Sequence, residues 1–238
     1  MERNDDLEIS GLHAYYGKSQ VLQDISLRVK GGEKIAILGR NGMGKSTLLK
    51  AVLGIGGVRR TGSIIYRNTR LVEKQPSEIA RLGIGYVPQG WQLFRSLSVE
   101  EHLLMAYRPA EDGNDWTAER IFNTFPEIAQ RRKISGTSLS GGEQQILAIG
   151  RALVTNSQCI LMDEPSEGIS VKVLDRITAI CNELVESGKS ILLVEQNLRL
   201  AVTIANRVYI LVNGRIVYES SAADFKDDKE KHAQYLGI

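Results

Sequence analysis

Gly39-Arg40-Asn41-Gly42-Met43-Gly44-Lys45-Ser46 follows the pattern G-x-x-x-x-G-K-[ST], and the reading of the chain turns on it. The apolar run Lys34-Ile35-Ala36-Ile37-Leu38 before it reads as a buried strand. Thr47-Leu48-Leu49-Lys50-Ala51-Val52-Leu53 after it reads as a helix. The glycines let the backbone bend until successive N–H groups point into one concavity. The helix N-terminus adds positive potential there, and a polyphosphate fits both. Lys45 is placed to reach the β- and γ-phosphates of a nucleotide, and the Ser46 hydroxyl to ligate Mg²⁺.

The surroundings set the scale. At 238 residues the chain can build a substantial core. Apolar content of 42% and charged content of 24% suit a soluble globular protein. A net charge of +2 calls for neither nucleic acid nor an anionic membrane as partner. Two cysteines, Cys159 and Cys181, are too few for a disulfide framework and point to a reducing compartment; Cys159 reads as a core residue. The charged start, Met1 to Asp6, has no apolar export segment. No apolar run is long enough to span a bilayer, so any membrane role is expected to come through a partner.

Working outward from the loop, 7–16 and 21–29 read as strands linked by Gly17-Lys18-Ser19-Gln20, 62–66 as another, and 84–87 as a short strand stopped by Pro88. Pro76-Ser77-Glu78 opens a short helix that Gly83 closes. The middle changes character. Ser98-Val99-Glu100-Glu101 is a capping box, 109–115 a polar loop, and helical segments are expected over 117–125 and around 128–133. Ser140-Gly141-Gly142-Glu143 is a second capping box whose helix runs to about Val154. From Cys159 the alternation of strand and helix returns: strands at 159–162, 190–194, 208–212 and 215–218, helices at 171–187 and 198–205, and a hairpin turn at Asn213-Gly214. The tail from Ala222 reads as helical. Alternating strands and helices argue for an α/β fold with a largely parallel sheet covered on both faces.

Two further stretches carry chemistry. Cys159-Ile160-Leu161-Met162-Asp163-Glu164 is an apolar strand ending in adjacent carboxylates. Ligands of parallel sheets sit beyond the strands' carboxyl ends, which places Asp163 to hold Mg²⁺ directly or through its water, and Glu164 to orient a water at the γ-phosphate. In Leu139-Ser140-Gly141-Gly142-Glu143-Gln144-Gln145 the glycines strip the first helical turn, so its N–H groups can approach an anion closely. One nucleotide hardly needs both phosphate surfaces on one subunit. Two subunits, each offering this turn to the other's nucleotide, use both.

Together these stretches resemble the nucleotide-binding subunit of ATP-binding cassette (ABC) transporters over essentially the whole chain. Residues 39–47 stand as Walker A, 139–145 as the signature sequence and 159–164 as Walker B. The resemblance implies a P-loop NTPase fold: a RecA-like parallel core with an antiparallel β subdomain and an inserted α-helical subdomain. It is expected as a single domain over 1–238, with a core lobe of about 1–89 and 156–238 and a helical subdomain of about 90–155. It further implies ATP and Mg²⁺ as cofactors, a second ABC ATPase subunit as homo- or heterodimer partner, two transmembrane permeases and, indirectly, a solute-binding protein. The expected location is peripheral, on the cytoplasmic face of the inner membrane, with no nucleic-acid partner.

By resemblance, ATP is bound by Tyr16, stacked on adenine, and by Gly39, Arg40, Asn41, Gly42, Met43, Gly44, Lys45, Ser46 and Thr47. Ser140, Gly141, Gly142 and Glu143 would touch the partner's ATP. Glu164, Lys45, Gln89 and Gln196 form the catalytic set, and Ser46, Gln89 and Asp163 the Mg²⁺ set. Trp91 and Phe94 would lie by a groove that receives a membrane subunit. Two positions depart from the family's pattern: Gln196 where a histidine is usual, and Ser170 where aspartate is common. Both bear on turnover and on the symmetry of two sites. Leu193-Val194-Glu195-Gln196-Asn197 and 84–90 are similar to ATPases that power branched-chain (hydrophobic) amino acid import. Urea or short-chain amide importers are nearly as similar through Glu167-Gly168-Ile169, and Gln196 with Ser170 raises a weakly hydrolysing regulatory subunit as another alternative.

Overall fold

A computed structural model describes residues 7–110, 113 and 115–237. Two sheets are present among them. β1 (Leu7–Tyr16), β2 (Ser19–Val29), β4 (Arg59–Tyr66) and β5 (Thr69–Arg70) form an antiparallel sheet in the order β2-β1-β4-β5. β3 (Lys34–Leu38), β6 (Ile84–Val87), β7 (Cys159–Asp163), β8 (Ser190–Glu195), β9 (Arg207–Val212) and β10 (Arg215–Ser221) form a second, in the order β10-β9-β3-β8-β7-β6. All its pairs are parallel except β9 with β10.

Strand alternation makes two cores out of the same strands. Ile35, Ile37, Leu161, Leu192 and Val194 face helix α1 (Lys45–Leu53) and the antiparallel sheet. Their neighbours Ala36, Leu38, Ile160, Met162, Ile191 and Leu193 face the other side. That side is covered by α6 (Gly141–Leu153), α7 (Val171–Glu186) and α8 (Leu198–Ile204), and the short α2 (Pro76–Arg81) flanks β6. Burial on both faces explains why β3, β7 and β8 read as continuous apolar runs.

Between β6 and β7 the regular elements are helical: α3 (Val99–Ala106), α4 (Ala118–Thr124), α5 (Pro126–Ala129) and α6. Both capping boxes form. Glu101 N donates to Ser98 Oγ at 3.2 Å and Ser98 N to Glu101 Oε2 at 2.7 Å. Ser140 N donates to Glu143 Oε2 at 2.8 Å, and Glu143 N to Ser140 Oγ at 3.4 Å.

Three expectations need correction. Ser19 and Gln20 belong to β2, because Tyr15 pairs with Gln20 and Tyr16 with Ser19, leaving Gly17-Lys18 as the turn. β4 begins at Arg59, since the ladder to β1 recruits polar residues that propensity would leave in a loop. The helix expected around 128–133 starts earlier and stops at Ala129; Pro126 at its first position sets the start. Of the loop expected over 109–115, residues 111, 112 and 114 lie outside the described residues, as does the charged start at 1–6.

Candidate active site

The site lies at the carboxyl ends of β3, β7 and β8, which are neighbours in the parallel sheet. Gly39, which leaves β3, could carry no side chain, as its Cβ would stand 2.5 Å from the Leu211 carbonyl oxygen. Gly44 ends the loop at φ 103°. There a side chain would be strained and would also meet Leu22 at 2.8 Å. The loop is braced from behind by the hairpin turn between β9 and β10. Gly214 N donates to Met43 O at 3.1 Å, and Asn213 N approaches Met43 Sδ at 3.2 Å.

Lys45 opens α1 and is only 4% exposed. Its ammonium donates to Gly39 O at 2.9 Å and Arg40 O at 3.3 Å, and pairs with Glu164 Oε1 at 3.0 Å. One residue on, Ser46 Oγ donates to Asp163 Oδ1 at 2.9 Å. Tyr86 of β6 donates its hydroxyl to Asp163 Oδ2 at 3.3 Å. Burial raises the Asp163 carboxyl above the usual range, and the Ser46 hydrogen bond opposes that. Burial likewise raises the Tyr86 phenol, with the Asp163 charge adding to it, so it remains a donor.

Glu164 adopts φ 49°, a left-handed conformation uncommon for a residue with a side chain. Its N–H donates to Val194 O at 3.0 Å, which ties the end of β7 to β8. Gln89 Nε2 donates to Glu164 Oε2 at 3.2 Å and reaches Glu167 Oε2 at 3.5 Å. Gln196 follows β8 and is exposed. A cavity of about 420 Å³ is lined by Asn41, Gln89, Glu164, Ser166, Glu167, Glu195, Gln196 and Asn197. A second, of about 190 Å³, is lined by Val21, Asn41, Gly42 and 44–47 together with Gln89 and Glu164. The two share Asn41, Gln89 and Glu164, so they form one continuous cleft from the glycine loop to Gln196. A basic loop, a half-buried serine bonded to a buried aspartate and a carboxylate facing the same cleft suit a nucleoside triphosphate and a hard cation.

A profile described as ABC transporter matches residues 22–167. The chain belongs to the ABC transporter family. It is 38% identical over 232 residues to the high-affinity branched-chain amino acid transport ATP-binding protein BraG of Pseudomonas aeruginosa, covering 97% of this chain and 99% of that one. It is 35% identical to the lipopolysaccharide export system ATP-binding protein LptB of Escherichia coli, over 94% and 93% of the two chains. Among solved structures, an ATP-binding subunit of an ABC transporter superposes with a TM-score of 0.81 at 28% identity, over 97% and 96%. A dimeric ATP-binding cassette in a post-hydrolysis state bound to ADP and Pi gives 0.79 at 25% identity, over 91% and 98%. The protein is therefore an ABC ATPase with the P-loop NTPase fold.

Within this ABC ATPase the signature turn is set apart from the cleft. None of Ser140, Gly141, Gly142 and Glu143 lines either cavity around the glycine loop. Gly142 instead passes close to Gly168, where a Cβ would come within 3.0 Å of the carbonyl oxygen. Tyr16 stands 38% exposed at the end of β1. Thr47, 8% exposed, lines the loop side of the cleft. Phe94 is 52% exposed. Trp91 is only partly so, because its ring packs on Gly141 and Arg151 donates to the Trp91 and Gln92 carbonyls at 3.0 and 2.9 Å. Sequence reasoning missed Glu167 and Glu195 as parts of this cleft, and Tyr86 as a partner of Asp163. Glu195 left a signal: an otherwise apolar strand ends in a carboxylate beside Gln196.

Proposed function

We propose that this ABC ATPase energises import of branched-chain (hydrophobic) amino acids through separate membrane permeases. The observation that carries the catalytic part is the cleft lined by Lys45, Ser46, Glu164, Gln89 and Gln196, with Asp163 joined to it through Ser46. The substrate part rests on end-to-end similarity to BraG.

In this reading ATP lies along the glycine loop, its base on Tyr16 and its phosphates on the N–H groups of 39–47. Thr47 adds a contact to the α-phosphate. Lys45 neutralises charge developing on the β- and γ-phosphates, and the γ-phosphate competes with Glu164 for the Lys45 ammonium. Glu164 accepts the proton of the attacking water, which Gln89 helps to orient. Gln196 donates a hydrogen bond to the γ-phosphate where a histidine could add charge. Ser46, Asp163 and Gln89 offer the oxygens that would hold Mg²⁺, which when bound would supply positive charge against the phosphates. Ser140, Gly141, Gly142 and Glu143 close the site of a partner ATPase, whose own signature turn closes this one.

No described helix is long and apolar enough to cross a membrane, so attachment is assigned to the permeases at the cytoplasmic face. The segment 90–155 is assigned as the subdomain that meets them, with Phe94 at the contact.

The test is uptake of labelled leucine by the transporter reconstituted in proteoliposomes, with wild-type chain and with Glu164→Gln. Uptake is expected to stop in the variant. Retained uptake, or wild-type transport of urea or a short amide in place of leucine, would overturn the reading. Gln196 favours a second reading, a subunit that binds ATP but hydrolyses it weakly. Hydrolysis by this chain alone, compared with hydrolysis after addition of its partner ATPase, separates the two.

A further inference from the structure

Glu195 has no part in the mechanism above, yet its surroundings are organised around it. It ends β8, the strand between the one that feeds the glycine loop and the one that ends in Asp163 and Glu164. Its side chain is buried, 1% exposed. The carboxylate accepts hydrogen bonds from two loops at once. Ser166 N donates to Oε1 at 3.1 Å, and Ser166 Oγ to Oε2 at 3.1 Å. From the other side Gln196 N and Asn197 N both donate to Oε2, each at 3.1 Å. All four partners are neutral N–H or O–H dipoles. A buried carboxylate is costly unless its lone pairs are satisfied, and here those bonds are what satisfy it.

We propose that Glu195 is a positioning residue for ATP hydrolysis: its carboxylate locks the loop that follows Glu164 to the loop that carries Gln196. The inference rests on the reading that Glu164 and Gln196 act on the γ-phosphate and its attacking water. Glu164 and Ser166 are two residues apart on one loop, and Gln196 adjoins Glu195 on the other. A shift at either end therefore changes the separation between the water-orienting carboxylate and the phosphate-binding amide. A misplacement of about 1 Å can cost on the order of 100-fold in rate. Nucleotide affinity, set mainly at the glycine loop, does not depend on this link.

The two oxygens have different jobs, and that separates the variants. Glu195→Gln can keep its acceptor toward the three donors on Oε2, but its amide N–H groups then face the Ser166 N–H. It loosens the loop after Glu164, which keeps only the Ser166 Oγ bond, and retains the loop of Gln196. Glu195→Ala releases both. Ser166→Ala removes one bond and leaves the fold intact.

The experiment is steady-state hydrolysis of Mg-ATP by the full chain, in the assembly in which the wild type turns over. Any partner ATPase carries its own Walker B glutamate-to-glutamine change, so that only this chain's site is read. Glu195→Ala is expected to lower kcat by about 10- to 100-fold with KM and ATP affinity within about two-fold of wild type. Glu195→Gln should fall between it and wild type, and Ser166→Ala should lose about two- to three-fold. Combined with Gln196→Ala, Glu195→Ala should add less than about two-fold, because the phosphate-binding amide whose distance from Glu164 the link sets is already gone. If Glu195→Ala does not fold, the same cycle is run with Glu195→Gln. Full multiplication of the two effects, or loss of ATP affinity in step with kcat, would overturn the proposal while leaving the reading of Glu164 and Gln196 standing. Wild-type kcat in Gln196→Ala would remove both together.

Discussion

Lys45 concentrates the energetics of the cleft in one buried ammonium. It holds two loop carbonyls and the Glu164 carboxylate, so it fixes the curvature of the glycine loop as well as presenting charge. A hydrogen bond to a charged group contributes about 1.5–3 kcal/mol. Lys45→Ala is therefore expected to weaken ATP binding by roughly 10- to 100-fold, measured by calorimetry with Mg-ATP. An unchanged affinity would remove the loop from phosphate binding. Glu164→Gln keeps the shape of the side chain but cannot take a proton. It is expected to keep affinity within about threefold and to lose at least about 100-fold in kcat. Equal hydrolysis by variant and wild type would show that another group, or water alone, takes the proton. Gly44 shows why its identity is not negotiable: a side chain there would be strained at φ 103° and would press on Leu22.

At the level of elements, an arginine of α7 forms one clamp between the parallel core and the helices that lie between β6 and β7. Arg176 of α7 donates from Nη1 to Thr124 O at the end of α4, at 2.9 Å, and grips the Glu127 carboxylate of α5 through both terminal nitrogens. The Arg176 hydrogen bond, working against partial desolvation, holds the Glu127 carboxyl below its ordinary 4.5. A carboxyl lowered on folding stabilises the fold above its unfolded value, and that contribution is lost as pH falls through the folded value. Arg176→Ala should therefore lower Tm by about 2–4 °C near neutral pH, and the gap to wild type should narrow below about pH 4. A gap that is constant or grows on acidification would assign the effect to packing on Phe125, over which the guanidinium lies at 5.4 Å. None of this clamp was legible in the sequence, because Arg176 and Glu127 are 49 residues apart and neither stands in a pattern. The elements themselves were legible where one local rule governs. The two Ser-x-x-Glu boxes, the apolar strands and the Asn213-Gly214 turn all formed as read. Reading failed where a partner strand or a proline decided: Arg59 joins β4 by pairing with Tyr15, and Pro126 resets the helix after Phe125. In the cleft, motifs named the glycine loop, Gln89, Glu164 and Gln196. They passed over Glu195, whose partners come from two loops.

The whole molecule presents two surfaces proposed to bind phosphate, the glycine loop and the Ser140 turn, and a single copy does not bring them together. The glycine loop and Gln196 share one cleft, while the signature turn lines neither of its cavities. In the proposed reading, a head-to-tail pair would make each complete site from the loop of one copy and the turn of the other. That geometry can be tested by complementation within this one chain. Lys45→Ala spoils the loop of its own copy but leaves its signature turn intact. Ser140→Arg does the reverse, placing a bulky cation where the partner's phosphate site must close. Each variant alone has no complete site. Mixed in equal amounts, random pairing makes about half of the dimers mixed, and each of those has one complete site of two, so hydrolysis should recover to about a quarter of wild type. The recovery must depend on concentration, because it requires association, and a titration of one variant into the other should pass through a maximum near equal amounts. A mixture no more active than either variant alone, at concentrations where the wild type turns over, would mean that each copy completes its own site.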